Sequence, residues 1–303
     1  MIQDQITHLK GLKNAVILAH YYTLPEVQDI ADFVGDSLAL SRQAAETNAD
    51  IILFAGVHFM AETAKILSPQ KKVLIPDIKA GCSLSDSCPS EELVKFLHNY
   101  PNHTVLSYIN CSAKVKTLSD IIVTSGNALN VVNALPKNEK IVFTPDRNLG
   151  AYINKETGRE MVLWNGACHV HDQLTDEEIF KMKTKSPNAK VLAHPECKAT
   201  VLALADFIGS TAAMLNFAKN DNSSEFIVAT ETGILYEMKK QNPNKQFYVV
   251  SNPETCACND CEYMKLNTLE KLYHALLTES PEIILEEEVI RKALIPIKKM
   301  LKF

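Results

Sequence analysis

Apolar and polar positions follow two alternating patterns along the chain. Short apolar runs rich in valine and isoleucine are separated by segments in which apolar residues recur with the period of a helix. A continuous apolar run predicts a strand buried on both faces, which is typical of parallel sheets connected by helices. The pattern predicts an α/β protein, with strands at AVILAH, DIILFAG, KVLIPD, TVLSYIN, DIIVTSG, KIVFTPD, MVLWNG, KVLAHPE, DFIGST, FIVATE and FYVVSN.

The runs form three blocks with the same internal spacing. The first strand of each block ends in AHYY, SYIN or AHPE, and the second residues of these tetrads are His20, Tyr108 and His194. A hydroxyl residue follows 17 positions later in every block: Ser37, Ser125 and Thr211. We therefore predict three similar α/β/α sandwich domains with short parallel sheets, arranged around a pseudo-threefold axis. The alternative is that strands of similar composition imitate a repeat by chance.

The predicted units are residues 1–86, 87–171 and 172–264. The C-terminal helical tail, 265–303, is amphipathic, and we expect it to pack back on the first unit. In parallel sheets, functional groups gather beyond the carboxyl ends of the strands. The polar residues at those ends are therefore predicted to meet in one site.

Composition and charge narrow the range of partners. The chain has 303 residues, of which 46% are hydrophobic, so it can fill a sizeable core. Its formal net charge of -5 gives no field suited to nucleic acid. No apolar run approaches the ~18 residues of a membrane span, and the N-terminus lacks the features of a signal peptide. We expect a cytoplasmic protein with no nucleic-acid or membrane partner.

The eight cysteines are expected to serve metal binding or catalysis, because the cytoplasm keeps thiols reduced. One follows the fourth strand of each block: Cys82, Cys168, and one of the trio Cys256, Cys258 and Cys261. Three thiolates around one axis suit a 4Fe-4S cluster that leaves its fourth iron open as a Lewis acid. The alternatives are buried structural cysteines or a tetrahedral zinc site made by the trio with a histidine. No second C-x-x-C pair accompanies CACNDC, which argues against a zinc ribbon.

Eight longer segments closely resemble the quinolinate synthase A family. They are AHYYTLPEVQDIADFVGDS, FAGVHFMAETAKIL, AGCSLSDSCP, YINCSAKVKTLSDIIVTSGN, FTPDRNLG, HPECKATVLALADFIGST, ATETGILYEM and CEYMKLNTLE, and they extend over about residues 15 to 275. The resemblance implies three homologous α/β/α domains around a pseudo-threefold axis, with the active site and one 4Fe-4S cluster at the centre. This agrees with the repeat found in the sequence itself.

The resemblance places the cluster ligands at Cys82, Cys168 and Cys261. Block spacing favours Cys256, which lies 62 residues after His194 as Cys82 lies 62 after His20, whereas the CEYM context favours Cys261. We choose Cys261, which leaves Cys256 and Cys258 as bystanders or as a redox-sensitive pair with it. The remaining cysteines are not expected to be ligands: Cys88, Cys111 and Cys197.

The resemblance also implies roles for the polar residues at the strand ends. Tyr22 and Glu196 are expected to transfer protons, because a phenol and a carboxylate bracket the pKa range that such steps use. His171 is interpreted as an active-site histidine and not as a fourth ligand. His194, Ser210 and Thr211 are predicted to bind phosphate. The carboxylates of the other substrate are assigned to His20, Ser37, Tyr108, Asn110 and Ser125.

The reaction implied by the resemblance condenses iminoaspartate with dihydroxyacetone phosphate and dehydrates the product to quinolinate, in the synthesis of NAD. A transient contact with L-aspartate oxidase, which supplies the unstable iminoaspartate, is a further expectation. Two other classes stay open from the residues alone. One is a non-catalytic iron-sulfur or zinc redox sensor, and the other is a different cluster-dependent hydro-lyase.

Overall fold

A computed structural model describes residues 1–250 and 259–303. Three four-stranded sheets are present in these residues, and every strand pair in them is parallel. The first consists of β1 (Ala15–His20), β2 (Phe33–Gly35), β3 (Ile51–Ala55) and β4 (Lys72–Leu74). The second consists of β5 (Thr104–Tyr108), β6 (Ile121–Val123), β7 (Ile141–Thr144) and β8 (Val162–Leu163). The third consists of β9 (Lys190–Ala193), β10 (Phe207–Ile208), β11 (Glu225–Ala229) and β12 (Gln246–Val249).

The three sheets share one topology, in which the second strand of the unit is at one edge and the fourth is at the other. Their orders are β2-β1-β3-β4, β6-β5-β7-β8 and β10-β9-β11-β12. Each strand coincides with an apolar run of the sequence. The α/β class and the threefold arrangement of similar parallel sheets are therefore confirmed, while the exact domain boundaries stay a prediction.

Helices connect the strands and cover the sheets. Those of the first unit are α1 (Ile2–Leu12), α2 (Pro25–Ile30), α3 (Ser37–Glu46), α4 (His58–Leu67) and α5 (Ser83–Asp86). Next along the chain are α6 (Ser90–Leu97), α7 (Ala113–Thr117), α8 (Ala128–Ala134), α9 (Arg147–Thr157) and α10 (His169–Asp172). The others are α11 (Asp176–Lys185), α12 (Ala199–Leu202), α13 (Thr211–Asn220), α14 (Ile234–Gln241), α15 (Glu262–Lys265), α16 (Leu269–Thr278) and α17 (Glu287–Met300). Within the described ranges, every helix is too short or too polar to cross a membrane.

The strands are apolar on both faces because both faces of each sheet are covered. In the first sheet Leu18 and Ile52 belong to one core cluster, while their neighbours Ile17 and Leu53 point the other way into a second cluster. The first of these clusters continues to Leu106 of β5. The first and second sheets therefore share a core.

An aspartate repeats at the same place in all three units, immediately before the second strand. Its carboxylate accepts a hydrogen bond from a backbone N–H in the first strand, and its own N–H donates to the carbonyl of that same residue. The pairs are Asp32 with Ile17, Asp120 with Val105 and Asp206 with Val191, at 2.8, 2.8 and 2.7 Å. This shared contact is direct structural support for a threefold repeat, since composition alone would not reproduce its geometry.

The C-terminal helices contact more than one unit. Helix α16 packs against α1 and β3, where Leu272 and Leu276 join the cluster that contains Ile6. Helix α17 packs against α4 of the first unit and against α7 and β6 of the second. The side-chain amide of Asn127 also donates to the carbonyl of Met300 at 3.1 Å. The tail therefore spans the boundary between the first two units.

Candidate active site

A cavity lies where the strand ends of the three units meet. Its volume is about 670 Å³ when the solvent-filled space at its opening is included. Its lining contains every residue that the sequence assigned to the site except Ser210: His20, Tyr22, Ser37, Cys82, Tyr108, Asn110, Ser125, Cys168, His171, His194, Glu196, Thr211 and Cys261. The hydroxyl of Ser210 instead accepts the N–H of Ala213 and so caps α13. The polar residues predicted at the strand ends therefore line one cavity, and their individual roles stay predictions.

Two helices begin at this cavity. Ser37 is the first residue of α3 and Thr211 is the first residue of α13, and both side chains line the cavity. The carboxylate of Asp36 caps α3 by accepting the N–H of Ala39 at 3.0 Å. Helix N-termini carry partial positive charge and free backbone donors, so they favour anionic groups. At α13 the cap is a neutral serine, which leaves that end better suited to an anion than α3.

The three cavity cysteines occupy one structural position. Each is the residue before a helix of four residues: Cys82 before α5, Cys168 before α10 and Cys261 before α15. In every case the backbone N–H three residues later is a hydrogen-bond donor to the sulfur: Ser85, His171 and Met264. Such donors stabilise a thiolate.

The loops that carry these cysteines are also tied in the same way. A backbone N–H from the segment after the third strand donates to the carbonyl two residues before the cysteine. The pairs are His58 with Ala80 at 2.7 Å, Arg147 with Gly166 at 2.8 Å, and Thr232 with Asn259 at 3.3 Å. Cys261 is therefore the structural counterpart of Cys82 and Cys168. Cys256 and Cys258 lie outside the described residues.

The pKa values of the three cavity thiols favour the protonated form unless a cation is bound. Burial raises the pKa of Cys82 to about 12 and that of Cys261 to about 11, and the pKa of Cys168 lies well above its ordinary value for the same reason. The nearby Cys261 raises the pKa of Cys82 further, and the nearby Cys82 raises that of Cys168 further. A raised pKa favours the protonated thiol. A bound soft cation favours the thiolate instead, because thiol ligands deprotonate when they bind metal. The donor set therefore fits a thiolate-bound metal centre.

Three other cysteines are packed away from the cavity. Cys88, Cys111 and Cys197 are buried and free. The thiol of Cys88 lies 3.2 Å from the hydroxyl of Thr144, and that of Cys197 donates to the carbonyl of Ala229 at 3.3 Å. These contacts are those of structural cysteines.

Glu196 is the buried carboxylate at the centre of the site. It accepts a 2.5 Å hydrogen bond from the phenol of Tyr108, and Asn110 lies 3.5 Å from the same oxygen. Its other oxygen lies 2.8 Å from Nδ1 of His171. Burial alone would raise the pKa of Glu196, but the nearby His171 and His194 and the hydrogen bonds lower it to about 2. Glu196 is therefore an ionised carboxylate, able to accept a proton from a bound molecule.

The hydroxyl of Thr230 connects two further polar groups. It lies 2.7 Å from the phenol oxygen of Tyr22 and 2.8 Å from Nε2 of His171. Nδ1 of the same histidine lies 3.2 Å from the sulfur of Cys168. Burial raises the pKa of Tyr22 well above its ordinary value, so the phenol keeps its proton. The chain from Tyr22 to His171 can therefore relay a proton within the cavity.

A second, mixed donor set overlaps the three thiols. The ligand atoms of Cys168, His171 and Glu196 all lie within 4.8 Å of one another, a spacing at which three groups can share a metal ion. His171 is thus placed both to contact a metal and to exchange protons with Glu196. These three groups therefore form a second donor set that could hold a metal ion.

His20 and His194 are held as neutral donors. The Nδ1 atom of each accepts a backbone N–H two residues ahead, from Tyr22 at 3.2 Å and Glu196 at 3.3 Å. Since Nδ1 accepts, we assign the ring proton to Nε2. Burial lowers the pKa of each ring to about 3, so both stay uncharged near neutral pH. Neutral N–H donors suit substrate oxygens in a site that already contains charge.

Several polar residues of the site were not assigned from the sequence. Thr230 and Glu231 follow β11, Asp146 follows β7, and Lys265 ends α15. The predicted strands FIVATE and KIVFTPD are the third strands of their blocks, so the repeat itself contained the signal. Applying the rule for strand ends to the third strands as well as the first would have found three of these four residues.

The parallel α/β units and the central cavity, which contains a buried carboxylate, histidines and a donor set that could bind a metal ion, are typical of an enzyme. The chain matches the family model described as quinolinate synthetase A protein over residues 4–302. It is 56% identical over 296 residues to the quinolinate synthase of Synechocystis sp., which covers 98% of this chain and 93% of that protein. The quinolinate synthase of Microcystis aeruginosa is 55% identical over 302 residues, covering 99% of this chain and 95% of that protein. The chain belongs to the quinolinate synthase A family.

Proposed function

We propose that this enzyme condenses iminoaspartate with dihydroxyacetone phosphate and dehydrates the adduct, giving quinolinate, inorganic phosphate and two waters, in the de novo synthesis of NAD. The observation that carries the proposal is the convergence of Cys82, Cys168 and Cys261, from equivalent positions of three units, on the cavity that contains Glu196. The similarity of the chain to quinolinate synthases supports it.

The cofactor in this proposal is one 4Fe-4S cluster, held by Cys82, Cys168 and Cys261. Three equivalent sulfurs, each with a backbone N–H donor, fit such a cluster better than the mixed set around His171. When bound, the cluster supplies one iron without a protein ligand, which acts as a Lewis acid toward hydroxyl, carbonyl and carboxylate oxygens. His171 then serves as a proton carrier beside the cluster and not as its fourth ligand.

The phosphate of dihydroxyacetone phosphate is assigned to the N-terminus of α13. Thr211 begins this helix and lines the cavity, and the neutral ring of His194 lies beside it with its Nε2 atom 3.3 Å from the hydroxyl of Ser125. Backbone donors at a helix start favour a phosphate. Ser210 contributes by capping the helix and thus fixing the position of these donors.

The carboxylates of iminoaspartate are assigned to donors from the first two units. These donors combine neutral imidazole, hydroxyl and amide groups, which bind an anion without adding positive charge to the site: His20, Ser37, Tyr108, Asn110 and Ser125. Burial, and then the charge of Glu196, hold the pKa of Tyr108 well above its ordinary value, so its phenol stays a donor.

Glu196 and Tyr22 are assigned the proton transfers. The ionised Glu196 removes protons from carbon or nitrogen during isomerisation and ring closure, and Tyr22 protonates departing hydroxyl groups, with Thr230 and His171 replacing its proton. Glu196 is buried, and Tyr22 is half-buried at the same cavity. General acid–base catalysis of this kind accelerates a step by roughly 10²–10⁴-fold.

We further propose that the enzyme acts in the cytoplasm, where the cysteine thiols are kept reduced and do not form disulfides. A transient contact with L-aspartate oxidase would deliver iminoaspartate before it hydrolyses. Mixing the two proteins and measuring quinolinate formed per iminoaspartate produced tests this contact. If the yield of quinolinate is the same with the oxidase as with iminoaspartate made chemically, the contact is contradicted.

The central experiment is an anaerobic reconstitution. The chain is purified without oxygen, supplied with iron and sulfide, and mixed with dihydroxyacetone phosphate and freshly generated iminoaspartate, and quinolinate is measured by chromatography. We expect product from the loaded protein and none from a metal-free sample or from Cys82→Ser. A folded, cluster-loaded protein that makes no quinolinate would overturn the proposal.

A further inference from the structure

Glu231 is a buried residue of the cavity lining that contacts the Cys261 loop. One of its carboxylate oxygens accepts the backbone N–H of Cys261 at 3.1 Å, and the other accepts the N–H of Gly233 at 2.7 Å. The ammonium of Lys265 lies 2.8 Å from the first oxygen and also donates to the carbonyl of Tyr22 at 2.8 Å. One ion pair therefore joins the cysteine loop to the turn that carries Tyr22.

Asp146 has the corresponding place behind the Cys168 loop. One oxygen accepts the backbone N–H of Cys168 at 3.2 Å, and the other accepts the N–H of Leu149 at 2.7 Å. The side chain is fully buried. Like Glu231, it follows the third strand of its unit, so two units use the same device although one residue is an aspartate and the other a glutamate.

We propose that Glu231 and Asp146 are positioning residues that hold the backbone of Cys261 and Cys168 in the geometry needed to bind the metal centre. The inference rests on the proposed function, because it takes both cysteines as ligands. Each carboxylate fixes the peptide N–H of a cysteine, and so limits the directions in which its sulfur can point. Neither side chain needs to touch the cluster or the substrates for this role.

The carboxylate group is chemically necessary at both places. Each has two backbone donors on its two oxygens, so an amide of the same shape must turn its NH₂ group toward one of those N–H groups. At Glu231 the NH₂ group would face either Gly233 or the pair formed by Cys261 and Lys265. At Asp146 it would face either Leu149 or Cys168. The isosteric variants therefore break the contact without creating a cavity.

The test compares Glu231→Gln and Asp146→Asn with Asp206→Asn. Asp206 is a matched control because its carboxylate also accepts a backbone N–H, that of Val191 at 2.7 Å, but at the start of β9 and so at the opposite end of the strand from the cavity. Every protein is reconstituted without oxygen. Iron and sulfide content, the visible absorbance of the cluster, the spectrum of its reduced form and iron release to a chelator are then measured.

We expect Glu231→Gln and Asp146→Asn to release iron on the order of 10-fold faster than the unchanged chain, with an altered spectrum of the reduced cluster, as is usual when a group behind a metal ligand is lost. Asp206→Asn should keep the unchanged rate and spectrum at a comparable melting temperature. Unchanged iron release and spectra in both carboxylate variants would overturn the inference. If the unchanged chain binds no cluster, the proposed cofactor is wrong, and this result is distinct because it appears before any variant is made.

Discussion

The carboxylate of Glu196 lies 2.8 Å from Nδ1 of His171, although the two residues follow strands of different sheets. His171 is the third residue of α10, and Glu196 lies in the turn after β9. Asn148 helps to hold the two loops together, because its amide donates both to the carbonyl of Glu196 at 3.1 Å and to Asp172 at 3.0 Å. The contact therefore depends on the assembly of the second and third units.

Glu196→Gln should suppress quinolinate formation while sparing the metal centre. An amide cannot take up a proton at neutral pH, so we expect the rate to fall by roughly 10²–10⁴-fold. The iron content and the absorbance of the cluster should stay unchanged, because the three cysteines are intact. The measurement is quinolinate per minute and iron per chain on the same preparation. A variant with full activity would exclude Glu196 as a proton acceptor, and one without iron would indicate a role in metal binding.

Tyr22→Phe should lower the rate without weakening substrate binding. The change removes the hydroxyl that lies 2.7 Å from Thr230 and keeps the ring. We expect kcat to fall by about 10²-fold or more with little change in KM, because a proton donor acts in the transition state. Tyr21→Phe is the control, since Tyr21 precedes it but is outside the described lining of the cavity. Equal losses in the two variants would argue for a packing effect and against proton transfer.

The sequence predicted the architecture well because the strands are continuous apolar runs and because the spacing of 17 residues repeats in every block. It predicted His20, Tyr108 and His194 as neighbours for the same reason. Counting residues alone favoured Cys256 as the third cysteine, while the CEYM context favoured Cys261, to which the structure gives the same helix start and the same loop contact as Cys82 and Cys168. The loops differ in length between units, so the number of residues does not identify the equivalent cysteine. The backbone hydrogen bonds of the loops do identify it.

The supporting residues were harder to predict for a different physical reason. Helices α5, α10 and α15 have four residues each, which is too short to give a periodic pattern. Thr230 looks like an ordinary strand residue until its hydroxyl is seen between Tyr22 and His171. Such a role depends on side-chain direction and on contacts between units, neither of which is visible in local sequence.

Stability should fall as the pH decreases from about 6.5, in part through His20. Burial lowers the pKa of His20 to about 3, while in the unfolded chain it returns to its ordinary value near 6.5. Between these values the unfolded chain binds a proton that the folded chain does not, so acid favours unfolding, and the stability present above pH 6.5 is progressively lost toward pH 3. His20→Asn keeps an acceptor for the N–H of Tyr22 but cannot titrate.

Melting temperatures of the cluster-free protein between pH 7.5 and 5 test this expectation. The His20→Asn variant should lose less stability over this range than the unchanged chain, whatever its melting temperature at pH 7.5. His8→Asn, at an exposed position of α1, should keep the unchanged slope. Identical slopes for all three proteins would mean that His20 does not stay neutral in the folded state.

Gly233→Ala should damage both stability and activity, because this glycine lies against the backbone of Tyr22. A Cβ atom at position 233 would lie 2.7 Å from Cα of Tyr22 and 2.9 Å from a carboxylate oxygen of Glu231. Backbone cannot move aside as the end of a flexible side chain can, so we expect a loss of about 1–3 kcal/mol in the free energy of unfolding. The displaced turn should also lower the rate of quinolinate formation.

Gly11→Ala is the matched control, since a Cβ atom at this position of α1 meets no atom within 4 Å. Its free energy of unfolding should stay the same or rise by up to about 1 kcal/mol, because alanine favours a helix. Urea unfolding and quinolinate assays on both variants separate the two effects. If Gly233→Ala matched Gly11→Ala in stability and rate, the close approach of the third unit to Tyr22 would not constrain the site. A loss of activity at full stability would show that the position of Tyr22, and not the fold, is what this glycine preserves.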